Sequence, residues 1–252
     1  MKLIIGNTGL VGSTILESES YDHTFNSKNL DTFTDFAQNG DELFLTCLPA
    51  TKWMVNKNLK DDMNNIHKII ETISILKYSK VTLISTIDVY NDSPIFSDET
   101  YSPNISKLSY GNNRYIFELM VKEMVKTDDL KIFRLPALFN KNIKKNVLYD
   151  LIHNNNVEQI NQNSFFQWYN LDNLKSDIDK FSTEYPEEVV FNLFTEPIHT
   201  SEIVELFSEY TDKVQNGSKV TYDYHTKFGG YISNKHNVLK EIKQFINEFS
   251  VK

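Results

Sequence analysis

The sequence predicts a doubly wound α/β fold, and three observations carry that expectation. Short β-rich apolar runs alternate with longer helical patterns through residues 1–140. A glycine-rich turn closes the first apolar run and opens the first helical one. The strand candidates are nearly continuous apolar stretches, as expected where helices cover both faces of a parallel sheet with right-handed crossovers.

Taken in order, residues 2–5 form the first run, and the helix after the turn continues to about residue 19. Residues 23–25 read as the second strand and residues 30–37 as a weak amphipathic helix. Residues 42–48 read as a buried strand ending at Pro49. A long helix is expected over residues 59–76, where Met63, Ile66, Ile69, Ile70 and Ile73 recur at helical spacing. Residues 80–85 return to strand character. Residues 109–126 then form a helix with Phe117, Met120, Val121 and Met124 on its apolar face, and residues 131–135 a strand that stops before Pro136.

The rhythm changes from about residue 139. A polar stretch at 153–156 separates a helix near 145–152 from an aromatic run at 165–169. A strand at 188–193 precedes a helix opened by Thr200-Ser201-Glu202, and a last helix covers residues 237–249. The chain therefore reads as a core region at residues 1–140 and a mixed region at residues 141–252, the latter adding one sheet strand and a small lobe.

At 252 residues the chain is long enough to bury a substantial core. Its 34 acids against 26 bases give a net charge of -8, which leaves no basic footprint for nucleic acid and disfavours broad contact with anionic surfaces. The apolar run at the start is too short for a secretory leader, and no stretch approaches the ~18 apolar residues of a membrane span. A soluble, cytoplasmic protein with no membrane partner is expected. The single cysteine, Cys47, excludes an intrachain disulfide and a cysteine cluster for zinc, so no metal is expected; Cys47 reads as a buried small hydrophobe.

The turn Gly6-Asn7-Thr8-Gly9-Leu10-Val11-Gly12 sits between strand and helix, where such a turn serves as a phosphate cradle. Gly6 permits the sharp turn, Gly9 lets backbone approach an anion, Gly12 removes bulk where helix meets sheet, and free helix N–H groups face the ligand. The turn resembles the glycine fingerprint of the extended short-chain dehydrogenase/reductases, a superfamily of nucleotide-sugar epimerases, dehydratases and keto-reductases. That resemblance implies a Rossmann-like domain binding a dinucleotide, with a small C-terminal substrate lobe. A carboxylate after the second strand would accept hydrogen bonds from an unmodified ribose, but Asn26, Ser27 and Lys28 offer donors and one positive charge instead. NADP is therefore favoured, with NAD as the alternative.

Tyr110 and Arg114 stand at i and i+4, so a phenol and a permanent cation share one helix face. Tyr110-Gly111 followed by Arg114 and Glu118 resembles the family's Y-G-x-x-K-x-x-x-E helix. The match makes Tyr110 the acid/base and puts Arg114 in the lysine position. The family's catalytic serine or threonine falls on Thr86, three residues before Val89-Tyr90. Arginine keeps the cation but exchanges a compact ammonium for a planar fork, which bears on both the ribose contact and the tyrosine's acidity. The segment Cys47-Leu48-Pro49-Ala50-Thr51-Lys52 resembles the strand end that passes the cofactor, which puts Leu48, Pro49, Ala50 and Lys52 at the cofactor.

In the family's 4,6-dehydratases an acidic pair follows the threonine. Here Ile87 takes the first of those positions and only Asp88 is acidic, which argues against dehydration; Asp88 either orients substrate or caps a local turn. In the lobe, Lys144, Lys145, Gln167, Trp168, Lys227 and Tyr231 offer charge and stacking for a nucleoside diphosphate. Of these, Lys144, Gln167 and Trp168 are taken as substrate-binding beside Asp88. The resemblance thus implies an NAD(P)-dependent reductase or epimerase of nucleotide sugars. The rival expectation is a dinucleotide-binding regulatory or scaffold protein that has lost turnover. Extended members of the superfamily often pair through the catalytic helix, so a homodimer is expected, with Phe117, Met120 and Met124 serving either that contact or the core.

Overall fold

Lys2–Ile5 form the first strand, β1, with Leu3, Ile4 and Ile5 all buried. A strand covered on both faces needs an unbroken apolar run, which is what this segment supplies. The computed structural model describes residues 1–91, 93–207, 214 and 217–250. Two units emerge: the first is Met1–Ser93, Tyr101–Arg134 and Leu174–Phe191, and the second is Pro94–Thr100, Leu135–Asn173 and Asn192–Lys252. The division is drawn differently from a single boundary at residue 140, because each unit takes a segment from within the other's stretch of sequence.

The first unit is built on a six-stranded sheet. Its order is Val190–Asn192, Leu130–Leu135, Lys80–Thr86, β3 (Glu42–Leu45), β1, β2 (His23–Phe25). β1 pairs in parallel with β2 and with β3, and β3 pairs in parallel with Lys80–Thr86. The chain leaves β1 towards β2 on one side and comes back to β3 on the other. Strand order thus reverses beside β1, at the topological switch point where open α/β sheets bind ligands outside their strands' carboxyl ends.

Five helices of this unit lead to the site: α1 (Leu10–Ser18), α2 (Phe33–Phe36), α3 (Lys52–Lys57), α4 (Leu59–Ile73) and α5 (Tyr110–Met124). α4 buries Ile66, Ile69, Ile70 and Ile73, an i, i+3, i+4, i+7 stripe that joins Leu3, Leu45, Val81, Leu83, Phe117 and Val121 in one core. Each buried isoleucine stabilises the fold by about 1.5–3 kcal/mol, so this stripe fixes α4 and the polar side chains it carries.

Three elements differ from the sequence expectation. The amphipathic helix expected at 30–37 is a 3₁₀ turn, Leu30–Thr32, running into the single turn of α2. α3 was not expected, nor was the helix Leu174–Glu184, which packs against α1 before the chain reaches the edge strand Val190–Asn192. Its buried apolar positions, Leu174, Ile178 and Phe181, stand at i, i+4 and i+7, so the helical signal is present in the sequence and was missed.

In the second unit, Ala137–Phe139 pairs in parallel with Trp168–Asn170, and Phe165–Phe166 pairs antiparallel with Ile198–His199. Among its described residues, helices cover Val147–His153, Thr200–Val204 and Lys235–Ser250. Glu99 ties in the segment Pro94–Thr100: its carboxylate accepts hydrogen bonds from the backbone N–H groups of Asn192 (2.6 Å) and Lys227 (2.8 Å) and from Thr226 Oγ1 (2.8 Å). Among the described residues, no helix is long and apolar enough to cross a membrane.

Candidate active site

The site residues of the first unit cluster at the carboxyl ends of β1, β2, β3 and Lys80–Thr86. Gly6 has φ +104°, and a Cβ there would lie 2.3 Å from the Thr46 carbonyl oxygen, so neither its backbone nor its space admits a side chain. A Cβ on Gly12 would lie 2.2 Å from the Gly6 carbonyl oxygen, which fixes how closely α1 approaches the turn. Gly9 caps α1 in extended geometry and no side chain caps this helix end. The first amides of α1 are thus left for an anion, with the helix dipole favouring negative charge. Thr8 is exposed, and Leu10 and Val11 are partly buried in the opening turn of α1.

Asn7 links the turn to β2 rather than standing free. Its Nδ2 donates to Thr24 Oγ1 (3.3 Å) and its Oδ1 accepts from Asn26 Nδ2 (3.2 Å). Asn26 in turn accepts the Lys28 backbone N–H at Oδ1 (2.9 Å), so it shapes the loop after β2 and leaves Ser27 and Lys28 exposed beyond it. No carboxylate occupies residues 26–29. The cradle and this acid-free loop fit a phosphate-bearing dinucleotide.

Thr86 ends its strand and turns inward on the local backbone: Oγ1 accepts the Asp88 N–H (3.2 Å) and caps the 3₁₀ turn Ile87–Tyr90. Asp88 accepts Lys52 Nζ at 2.6 Å, so Lys52, expected at pyrophosphate, has a carboxylate partner across from α3. Leu48 packs against the core, Pro49 and Ala50 are exposed, and Cys47 is half-buried at the end of β3 rather than fully interior. Burial pushes the Cys47 thiol up to about 12, against the opposing influence of Arg114.

Ser109 accepts the Asn112 N–H at Oγ (3.1 Å) and so starts α5. The Tyr110 N–H donates to Asn56 Oδ1 of α3 (2.9 Å). Arg114 lies with its guanidinium carbon 4.5 Å from the centre of the Tyr110 ring. Its fork grips Asp62 of α4 in bidentate fashion, Nη1 to Oδ2 at 2.7 Å and Nη2 to Oδ1 at 3.1 Å, while Nη2 also donates to the Pro49 carbonyl (2.7 Å). Asn113 Nδ2 adds a bond to Asp62 Oδ2 (2.8 Å) and one to the Leu59 carbonyl (3.2 Å). Tyr110 is 6% exposed; burial raises its phenol above the ordinary value, Arg114 opposes that rise, and Asp88 and Asp62 add to it.

Sequence reasoning missed Asp62, Asn113 and Asn56. Asp62 had a legible signal: it lies four and seven residues before Ile66 and Ile69, so it is a charge inside α4's apolar stripe, where a charge needs a partner. A second buried pair was also missed. Arg134 grips Glu118 through Nε (3.0 Å) and Nη2 (2.6 Å) and donates to Tyr90 Oη (2.6 Å), and Ser85 Oγ donates to Glu118 Oε1 (2.5 Å). This pair braces the strand end that carries Thr86.

The residues expected on substrate in the second unit divide in two. Gln167 and Trp168 are corrected to interior positions, each 1% exposed. Gln167 Nε2 donates to the Thr195 and Tyr224 carbonyls (2.7 and 2.8 Å) and Oε1 accepts the Tyr224 N–H (2.9 Å), so the amide ties two non-strand backbone segments to its own. Lys144, Lys145 and Lys227 are exposed, and Tyr231 Oη donates to Asp223 Oδ1 (2.6 Å). Among the described residues no three His, Cys, Asp or Glu side chains gather as a metal set.

The glycine turn at the switch point, the strand-end threonine and the Tyr-Gly helix start all sit on a doubly wound α/β architecture. Neither a family model nor a curated protein matches the sequence. Solved structures do match in fold. One is a dTDP-4-dehydrorhamnose reductase ortholog from Clostridium acetobutylicum, with a TM-score of 0.72 and 14% identity over 99% of this chain and 100% of that one. A dTDP-4-dehydrorhamnose reductase from Bacillus anthracis in complex with NADP gives 0.65 and 16% over 99% and 98%. A UDP-glucose 4-epimerase from Thermus thermophilus in complex with NAD gives 0.65 and 13% over 99% of each chain.

Proposed function

We propose that the chain is an NAD(P)-dependent oxidoreductase acting on a keto or hydroxy group of a nucleotide sugar, with reduction or epimerisation favoured over 4,6-dehydration. The observation that carries this reading is the Tyr110 phenol, stacked with Arg114 at the start of α5, next to the strand end that holds Thr86. A nicotinamide dinucleotide supplies hydride when bound, with Gly6, Gly9, Gly12 and the first amides of α1 holding its phosphates and Lys28 reading a 2′-phosphate. Tyr110 gives a proton to the substrate oxygen, and Thr86 donates a hydrogen bond to the same oxygen.

Beyond the three bonds described above, Arg114 also hydrogen-bonds the Tyr110 side chain, which favours the ionised phenol and ties the cation to the acid. A buried, protonated phenol suits proton donation, which favours the reductive direction. Ile87, in place of the first acid of a dehydratase pair, supports the same preference. The solved reductases and epimerases of this fold support a nucleotide sugar as substrate. Phe117 is core and Met124 is exposed on α5, so Met124 is the residue that a homodimer contact would use.

A second reading, a dinucleotide-binding protein without turnover, is favoured by one observation: Arg114's fork is committed to Asp62. Single-turnover NADPH oxidation with dTDP-, UDP- and GDP-linked keto sugars separates the two. The enzyme reading expects wild-type oxidation that Tyr110→Phe abolishes. Turnover unaffected by Tyr110→Phe would overturn the assignment, and NADPH binding with no oxidation of any of these sugars would favour the second reading.

A further inference from the structure

The cation beside Tyr110 is not a free charge. Asp62 sits in the first turn of α4 with its side chain 3% exposed, ahead of the isoleucine stripe that anchors the helix, and Arg114 on α5 has its side chain 6% exposed. Both carboxylate oxygens meet the guanidinium, and Asn113, one residue before Arg114, donates to Oδ2 as well. Such a bidentate pair fixes the plane of the guanidinium, which a lone cation on a flexible stem does not have. The fixed plane lies against the Tyr110 ring, 4.5 Å from its centre.

We propose that Asp62 is a positioning residue for Tyr110: by gripping both arms of Arg114 it locks the cation against the phenol ring and offsets part of that cation's charge. The inference rests on the reading of Tyr110 as the acid of a reductase, and it adds a residue through which that acid is tuned. The charged and titratable groups facing the pair are Asp62 from α4, Asp88 from the turn after Lys80–Thr86, Lys52 from α3 bound to Asp88, and Cys47 at the end of β3. Asp62 is the one among them that holds Arg114 directly. Its carboxylate opposes ionisation of the phenol, and Arg114 favours it. Burial is the main cause that holds the phenol in its protonated form, and the Asp62 carboxylate adds to it by countering Arg114.

The test titrates the phenol itself in the cofactor-free chain, by NMR of protein labelled with tyrosine carrying ¹³C at Cζ, with Tyr110→Phe identifying the signal. Asp62→Asn is expected to move the Tyr110 titration down by about one pH unit or more, the scale on which one neighbouring charge acts, and Asp62→Glu to leave it close to wild type. An unchanged or raised titration in Asp62→Asn overturns the proposal. Should Asp62→Asn fail to fold, Asp62→Ser, which keeps Arg114 and removes the carboxylate, is titrated in the same way. It is again expected to lower the titration, and a value equal to wild type overturns the role. The basic limb of reductive turnover should follow the phenol downward in Asp62→Asn. A wild-type chain without turnover would count against the enzyme reading alone, since the phenol titration judges Asp62 without it.

Discussion

Gly111 and Asp88 meet backbone to backbone: a Cβ on Gly111 would lie 1.8 Å from the Asp88 carbonyl oxygen. The glycine of the Tyr-Gly pair is therefore a spacing device. It lets the first turn of α5 sit directly on the turn that follows Thr86, which brings phenol and hydroxyl to one strand end. We predict that Gly111→Ala displaces α5 from that turn, costing about 1–3 kcal/mol in stability by denaturant melt. Turnover should fall by roughly 100-fold, the scale of one misplaced catalytic group, while dinucleotide affinity is retained. Wild-type stability in this variant would show that the contact is not needed.

Tyr110→Phe removes the proton donor and keeps the ring on which Arg114 stacks. Cofactor affinity should hold while single-turnover reduction drops by about 100-fold or more. Arg114→Lys keeps the charge but loses the fork. It should lose stability relative to wild type while retaining turnover, because an ammonium still reaches a carboxylate. Arg114→Met leaves Asp62 buried without its cation and should cost about 3–5 kcal/mol by urea denaturation. A Met variant as stable as wild type would contradict the buried pair.

These residues also show how far the sequence carried. The sheet was legible because strands such as β1 and β3 are largely apolar runs, and the glycine turn because its spacing matches a physical need at Gly6 and Gly12. Tyr110 and Arg114 could be placed on one face by helical spacing alone. Their partner could not: Asp62 is 52 positions away from Arg114, and only packing of α4 on α5 brings the two together. Glu99 joined to Lys227 across 128 positions is the same kind of relationship, as is Lys52 with Asp88. Gln167 and Trp168 misled for the opposite reason. A polar amide beside an indole looks like a ligand site in sequence, whereas here the backbone groups of Thr195 and Tyr224 take up the amide.

Lys28 is exposed beyond an asparagine-shaped loop that holds no acid. If it reads a 2′-phosphate, NADPH should bind more tightly than NADH by calorimetry, and Lys28→Ala should weaken NADPH alone by about 1–3 kcal/mol, the range for a charge-assisted contact. Equal affinities that the substitution leaves untouched would remove the NADP preference.

Glu118 is fully buried, and its two oxygens serve Arg134 and Ser85. Glu118→Gln keeps the shape and deletes the counter-charge, so Arg134 would remain as an interior cation bonded only to neutral groups. We expect a loss of about 3 kcal/mol or more in urea denaturation. Tyr90→Phe, which removes one neutral acceptor from the same arginine, should cost only about 1–2 kcal/mol. The reverse order of the two would mean that the hydroxyl, and not the carboxylate, holds Arg134.

The pH dependence of turnover follows from the Tyr110 environment, and its sign can be worked out. Burial raises the phenol above its ordinary value, Arg114 draws it down, and Asp88 and Asp62 push it up, with the rise prevailing. A proton donor must be protonated to act, so the reductive rate should stay flat through the neutral range and fall only as pH climbs through that raised value. The oxidative direction needs the phenolate and should increase with pH over the same interval. Removing Asp88's charge in Asp88→Asn takes away an influence that opposes ionisation, so the basic limb of reduction should move to lower pH. Arg114→Met should move it higher, because the phenol loses the cation that favours its ionised form. Stopped-flow rates measured in both directions across pH check this. A reductive rate that already declines through neutral pH, in a variant set where Tyr110→Phe abolishes turnover, would mean that the phenol is not held in its protonated form and that another group supplies the proton.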